Sequence, residues 1–301
     1  MSLMKQVTKG KVVRPLAILV FGGDGIGKTT LASQAPNPIF LGPEIGTANM
    51  DVSRFPTPKH WKDIEAAIVA LTSEEHDFKT LVIDSLDWIE PMLFKAICED
   101  YNCKSIELAA GGYGKGYVEA TSRWGGLKDK LELLRNQRGM NIVLIAHSEV
   151  VSFLDPSTQL SYQRYELKLH KRSSALWREY VDAVLFCNLK IFARKEGNNV
   201  QALSDGARVM YTERRPGWDA KNRFGLPLEL DLSWTSLVDA IARAEPDSLE
   251  TVKAKIEGML TCVTNDDLKE KVITAFYKAG DDLITLNAIA NRLALRIGET
   301  A

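Results

Sequence analysis

The chain has 301 residues, 45% hydrophobic and 26% charged, with a formal net charge of −1. Such an ordinary globular composition fits one large α/β domain plus a small appendage. It offers no global basic excess for a polyanion, so any nucleic-acid surface must be local.

Residues 4–15 are basic and polar and read as a lead-in arm, with the arm as a whole spanning 1–15. Residues 16–21 (LAILVF) form a continuous apolar run between Pro15 and Gly22, the pattern of a strand buried on both faces. A short helix is expected from Lys28, ended by Pro36 and Pro38, and Ile39-Phe40-Leu41 is a second strand. Thr57-Pro58 reads as an N-cap with proline at the first helical position, and Trp61, Ile64, Ile68 and Leu71 give that helix one apolar face. Leu81-Val82-Ile83 is a third buried strand ending in Asp84, and Trp88, Met92, Phe94 and Ile97 suggest the next helix. Residues 111–116 (GGYGKG) are too glycine-rich for regular structure. A long amphipathic helix follows through Tyr117, Ala120, Trp124, Leu127, Leu131 and Leu134. Residues 142–146 form a fourth apolar strand, ending in His147.

Beyond His147 the texture changes. Residues 150–154 and 162–169, joined by a Pro156-Ser157 turn, read as a hairpin. Residues 183–186, 191–194 and 208–212 are further strands, with turns at Gly197-Asn198-Asn199 and Asp205-Gly206. The expected fold is therefore an α/β P-loop core, residues 16–245, whose parallel sheet is extended by antiparallel strands. Glu245-Pro246-Asp247-Ser248 marks a boundary, and residues 247–301 carry helical periodicity alone. No apolar run is long enough to span a membrane and no signal-peptide segment opens the chain, so a cytoplasmic protein with no membrane partner is expected. Cys98, Cys103, Cys187 and Cys262 form no C-x-x-C pair, and free thiols are expected.

Gly22-Gly23-Asp24-Gly25-Ile26-Gly27-Lys28-Thr29, followed by Thr30, fits G-x-x-x-x-G-K-[ST] at every position. Glycines let the backbone wrap a phosphate with its N–H groups inward, and the helix behind adds its positive end. Lys28 would reach the β- and γ-phosphates of ATP, and the Thr29 hydroxyl would ligate magnesium. Asp84 would face the same Mg2+, or else cap the next helix as Ser85 and Asp87 also could. Glu44, past the second strand, could orient a water or be a solvated loop residue. His147 stands on the sheet edge where ligands of open α/β sheets bind, and could touch the γ-phosphate or merely cap a strand end. The spacing decides neither case.

With these residues in place, the chain resembles the RecA-like ATPases of bacteriophages, nucleotide-binding proteins related to the RadA/RecA recombinase core. The segments that carry the likeness are GGDGIGKTT, LGPE, KTLVIDSLDWIEP, YGKGY, NIVLIAHSEV, YELKLHKRSSALWREYVDAVLF and KNRFGLP, across residues 16–227. The resemblance implies that Glu44 is the catalytic glutamate and His147 a polar sensor. It implies that Lys221 and Arg223 of KNRFG reach the γ-phosphate of a neighbouring subunit's ATP, hence a head-to-tail homo-oligomer, ring or filament. Without it, KNRFG reads as a basic surface turn. It further implies single-stranded DNA binding, annealing and recombination, a single-strand-binding protein as a partner, and a phage or prophage gene expressed in a bacterial host.

Local support for DNA is a basic and aromatic cluster of Arg164, Tyr165, Lys168, His170, Lys171 and Arg172, equally readable as a solvated strand edge and helix start. Residues 1–15 are too few for an N-terminal domain, so annealing or an accessory ATPase is expected rather than full strand exchange. Two other functions compete: a nucleotide-gated binding or assembly module with little turnover, acting through a protein partner, and a small-molecule or nucleotide kinase. The kinase is disfavoured because the late segment is strand-rich and the last helices are not notably arginine-rich.

Overall fold

A computed structural model describes residues 3–7, 14–44, 46–196, 199–244, 249–261, 263 and 265–298. Cys262, the Gly197-Asn198 part of one expected turn, the boundary residues 245–248 and much of the N-terminal arm lie outside them. The chain divides into two units, Met1–Ala242 and Arg243–Ala301.

The first unit is built on one sheet. Its strands are β1 (Ala17–Gly22), β2 (Pro38–Leu41), β3 (Ser53–Arg54), β4 (Thr80–Ile83), β5 (Asn141–Leu154), β6 (Ser161–Leu167), β7 (Ala183–Glu196), β8 (Asn199–Tyr211), β9 (Lys221–Asn222) and β10 (Glu229–Asp231). They run in the order β10-β8-β7-β1-β5-β4-β2-β3, with β6 paired to β5 and β9 to β7. The neighbours from β7 to β3 along this order are parallel, whereas β8 and β10 are antiparallel additions. This is the α/β core expected from the sequence, a parallel sheet extended by antiparallel strands.

Alternation sorts the side chains of β1 onto two faces. Ala17, Leu19 and Phe21 enter one apolar cluster, Ile18 and Val20 the other, and all are fully buried. Helices α2 (Trp61–Ser73), α3 (Leu86–Asp100), α4 (Lys115–Arg138) and α5 (Lys171–Tyr180) cover the first face. Trp61, Trp124 and Trp177 knit α2, α4 and α5 together edge to face, at 5.2 Å between successive centroids. Helices α1 (Lys28–Ser33) and α6 (Trp234–Ala244) cover the second face. In the second unit, α7 (Leu249–Thr261), α8 (Asp266–Ala279) and α9 (Leu283–Gly298) surround Val252, Ile256, Leu286 and Ala290.

Several elements depart from the expected boundaries. Helix α2 starts at Trp61, not after Thr57, because Asp63 Oδ2 accepts the backbone N–H groups of Lys59 and His60 at 2.8 and 2.9 Å. The buried face of α3 is Leu86, Ile89, Leu93 and Ile97, while Trp88 is exposed. Lys115 and Gly116, expected to be irregular, open α4. The fourth strand does not end at His147: β5 is a single strand of 14 residues whose second half forms the hairpin with β6. Residues 183–186 and 191–194 likewise belong to one strand, β7. Asp205-Gly206 is not a turn but a bulge in β8, where the pairing shifts between Leu189 and Ile191.

Candidate functional site

The P-loop follows from the register of β1. Gly22 ends the strand, and a Cβ there would lie 2.3 Å from Cys187 O, so only glycine permits the close approach to β7. Gly25 and Gly27 then take φ of +69° and +112°, left-handed values that turn the chain into α1. Lys28, Thr29 and Thr30 form the first turn of that helix. Lys28 is buried, and its Nζ donates to the carbonyls of Gly22 and Gly23 at 3.0 and 2.9 Å. Burial lowers its pKa, against the pull of nearby Cys187 and Asp84.

Parallel pairing brings the other strand ends to this loop. His147 lies opposite Gly22, and β5 separates β1 from β4. Asp84 follows β4, and Thr29 Oγ1 donates to its Oδ2 at 2.8 Å. Burial pushes the Asp84 carboxyl up to about 6, with the Thr29 hydroxyl opposing the rise. A hydroxyl and a buried, poorly compensated carboxylate form the oxygen set that magnesium shares with phosphates and waters. The residues therefore fit that ion. The Asp84–Ser85 peptide is cis.

Glu44 sits just past β2, half-buried, and its Oε2 accepts the Ser85 hydroxyl at 3.2 Å. A cleft of about 110 Å³, lined by Glu44, Asp84, Thr47, Arg54 and Thr57 among others, opens beside it. That volume has room for a few waters.

His147 is clasped by Asp87 from the first turn of α3. Its backbone N–H donates to Asp87 Oδ1 at 3.0 Å, and Nδ1 lies 2.9 Å from Oδ2. A carboxylate only accepts, so Nδ1 carries the proton and Nε2 faces the loop. Nε2 lies 3.3 Å from Asp24 Oδ1 and 3.9 Å from Glu44 Oε1. The Asp87 bond raises the histidine's pKa, against burial. Burial would raise the Asp87 carboxyl, but its bonds to His147 outweigh this and hold it low.

Residues 14–224 match the family described as an AAA domain. The chain belongs to that family. The AAA domain thus covers the P-loop, Glu44, Asp84 and His147, and makes the first unit a P-loop ATPase domain. A curated relative, the SPbeta prophage-derived uncharacterized protein YorG of Bacillus subtilis (strain 168), is 22% identical over 151 residues, 49% of this chain. The match spans 44% of that relative's length. Among solved structures, the crystal structure of the RadB recombinase matches 74% of this chain and 90% of its own, with 15% identity and a TM-score of 0.41.

Lys221 and Arg223 are not brought to the P-loop. Asn222 pairs with Ala183, which pairs in turn with Ile18, some four strand residues from Gly22, about 13 Å along the sheet. Lys221 Nζ donates to the carbonyls of Arg178 and Val181 at 2.8 and 2.9 Å, closing the end of α5, and burial lowers its pKa. Arg223 is exposed and lies 3.7 Å from Asp182 Oδ1. The basic and aromatic cluster is also divided. Arg164 is buried, ion-paired with Glu166 at 2.9 Å and held over the Phe153 ring. Tyr165 stacks on Phe186, and His170 stacks on Tyr117 at 4.1 Å while capping α5. Lys168, Lys171 and Arg172 remain exposed.

The sequence reading assigned no functional part to Asp87 or Ser85. By spacing Asp87 reads only as a helix cap, and its contact with His147 crosses 60 residues of chain. The motif D-S-x-D after a buried strand was the available signal.

Proposed function

We propose that this chain is a magnesium-dependent ATPase acting on single-stranded DNA in phage recombination or annealing. The observation that carries the ATPase part is the Thr29–Asp84 hydrogen bond at 2.8 Å, which joins the P-loop helix to the end of β4. Lys28 and the amides of residues 22–30 hold the phosphates, and Thr29 with Asp84 holds the metal, which would neutralise charge on the phosphate oxygens. Glu44, with one oxygen tied to Ser85 and a cleft beside it, orients the attacking water. His147, its tautomer set by Asp87, offers Nε2 to the γ-phosphate. Arg223, too far from its own P-loop, serves a neighbour's nucleotide in a head-to-tail oligomer, with Lys221 bracing the segment. The likeness to a prophage protein supports the phage setting. Exposed Lys168, Lys171 and Arg172 support contact with a phosphate backbone.

The test is ATP turnover across protein concentrations, with and without single-stranded DNA, using Lys28→Ala as the blank. Turnover should rise with protein concentration and with DNA, and DNA binding should weaken steeply with salt. Turnover indifferent to DNA, with no gel shift at low salt, removes the DNA part. Nucleotide binding and assembly without turnover would instead make the chain a nucleotide-gated module.

A further inference from the structure

A cation other than Lys28 stands against the phosphate loop. A Cβ built on Gly27 would lie 3.3 Å from Arg208 Nη1 and 3.4 Å from Leu232 Cδ2. The guanidinium of Arg208 is therefore within contact reach of the loop backbone, one residue before Lys28. Nothing in the motif points to it, since 180 residues separate Arg208 from Lys28.

The fold builds this approach. Arg208 pairs with Leu189 of β7 at the edge of the β8 bulge. There Gly206 takes φ +83°, Ser204 Oγ accepts the Gly206 N–H at 3.1 Å, and Asp205 Oδ1 accepts the Ala207 N–H at 2.9 Å. A bulge of this kind bends a strand and re-aims the side chain beside it. On the other side, Leu232 N–H donates to Arg208 O at 3.1 Å, which fixes the backbone that carries the arginine.

The charge balance calls for such a group. Asp24, Glu44, Asp84 and Asp87 gather around Lys28 and His147, so carboxylates already outnumber cations before a polyphosphate arrives. Arg208 is exposed and has no ion pair among the described residues. A guanidinium beside a phosphate loop makes charge-assisted, often bidentate hydrogen bonds that a point charge cannot reproduce.

We propose that Arg208 is a nucleotide-binding residue acting within its own chain, with its guanidinium directed at the polyphosphate of ATP. This rests on the nucleotide-binding reading above and adds a residue to that site. The experiment measures dissociation constants for ATP and for inorganic tripolyphosphate, by titration calorimetry with magnesium, for the wild type, Arg208→Ala and Arg208→Lys. Arg208→Ala should weaken both ligands alike by about tenfold, and Arg208→Lys should recover part of the loss. Unchanged tripolyphosphate affinity in Arg208→Ala overturns the assignment even if ATP weakens, because the guanidinium would then serve the base or ribose. Wild-type protein that binds ATP but not tripolyphosphate overturns it too. Wild-type protein that binds neither refutes the nucleotide-binding reading itself, a result distinct from a failure of Arg208 alone.

Discussion

A carboxylate held nearly dry at a strand end costs folding energy, and Asp84 bears that cost at neutral pH. Its carboxyl rises from 3.8 to about 6, chiefly through burial. The folded chain thus binds the proton more tightly than the unfolded chain does. The penalty is full above about pH 6 and fades as pH falls toward 3.8. Its full size is about 3 kcal/mol. Asp84→Asn keeps the shape and an acceptor for the Thr29 hydroxyl but removes the charge. It should gain about 2–3 kcal/mol at pH 7.5 and match the wild type near pH 4. Urea denaturation at the two pH values checks this, and equal stability at pH 7.5 would contradict it. The same variant should lose magnesium-dependent nucleotide binding, as expected where function holds a destabilising group in place. At this scale the P-loop, Asp84, Glu44 and His147 were legible because each falls at or near the end of an apolar run. Parallel strands bring such ends to one edge of a sheet. Asp87 and Arg208 were not legible, since one acts through a hydrogen bond across 60 residues and the other through a bulge.

Strand ends meet closely enough here that single atoms decide which residues are admitted. Gly42 follows β2 beside the end of β4, where Asp84 N–H donates to Leu41 O at 3.0 Å. A Cβ on Gly42 would fall 1.7 Å from Asp84 O, a backbone atom that cannot rotate away. Gly42→Ala should therefore force the two strand ends apart, at about 2–3 kcal/mol, and lower Tm by roughly 5–10 °C. Gly23→Ala, with nothing within 4 Å of the new carbon, should leave stability within about 0.5 kcal/mol of the wild type. Thermal denaturation of the pair separates packing from the glycine richness of the loop; equal melting would show that the strand ends yield. Element identity was largely readable from apolar period, but extents were not. The polar texture after His147 suggested a stop, whereas β5 continues because β6 supplies its hydrogen bonds once β1 and β4 no longer do. Asp205-Gly206 reads as a turn by composition, and only the long β7 partner shows that the strand passes through it.

For the whole molecule, the far placement of Arg223 makes a prediction about copies of the chain. Glu44→Gln and Arg223→Ala should each abolish turnover while leaving nucleotide binding largely intact. Mixed in equal amounts, they should regenerate roughly a quarter of the wild-type rate, since about one interface in four pairs an intact Glu44 with an intact Arg223. Steady-state ATPase assays of the mixture decide this, and no recovery would place Arg223 outside any shared site. The helical second unit was visible as periodicity without strand signal.

The unbroken course of β5 has one more consequence. His147 and Leu154, where the first arm of the hairpin ends, belong to the same extended strand and lie about 23 Å apart along it. Were a ligand at the hairpin to change the affinity for nucleotide, it would do so by some factor. Thermodynamic linkage then requires nucleotide to change the affinity for that ligand by the same factor.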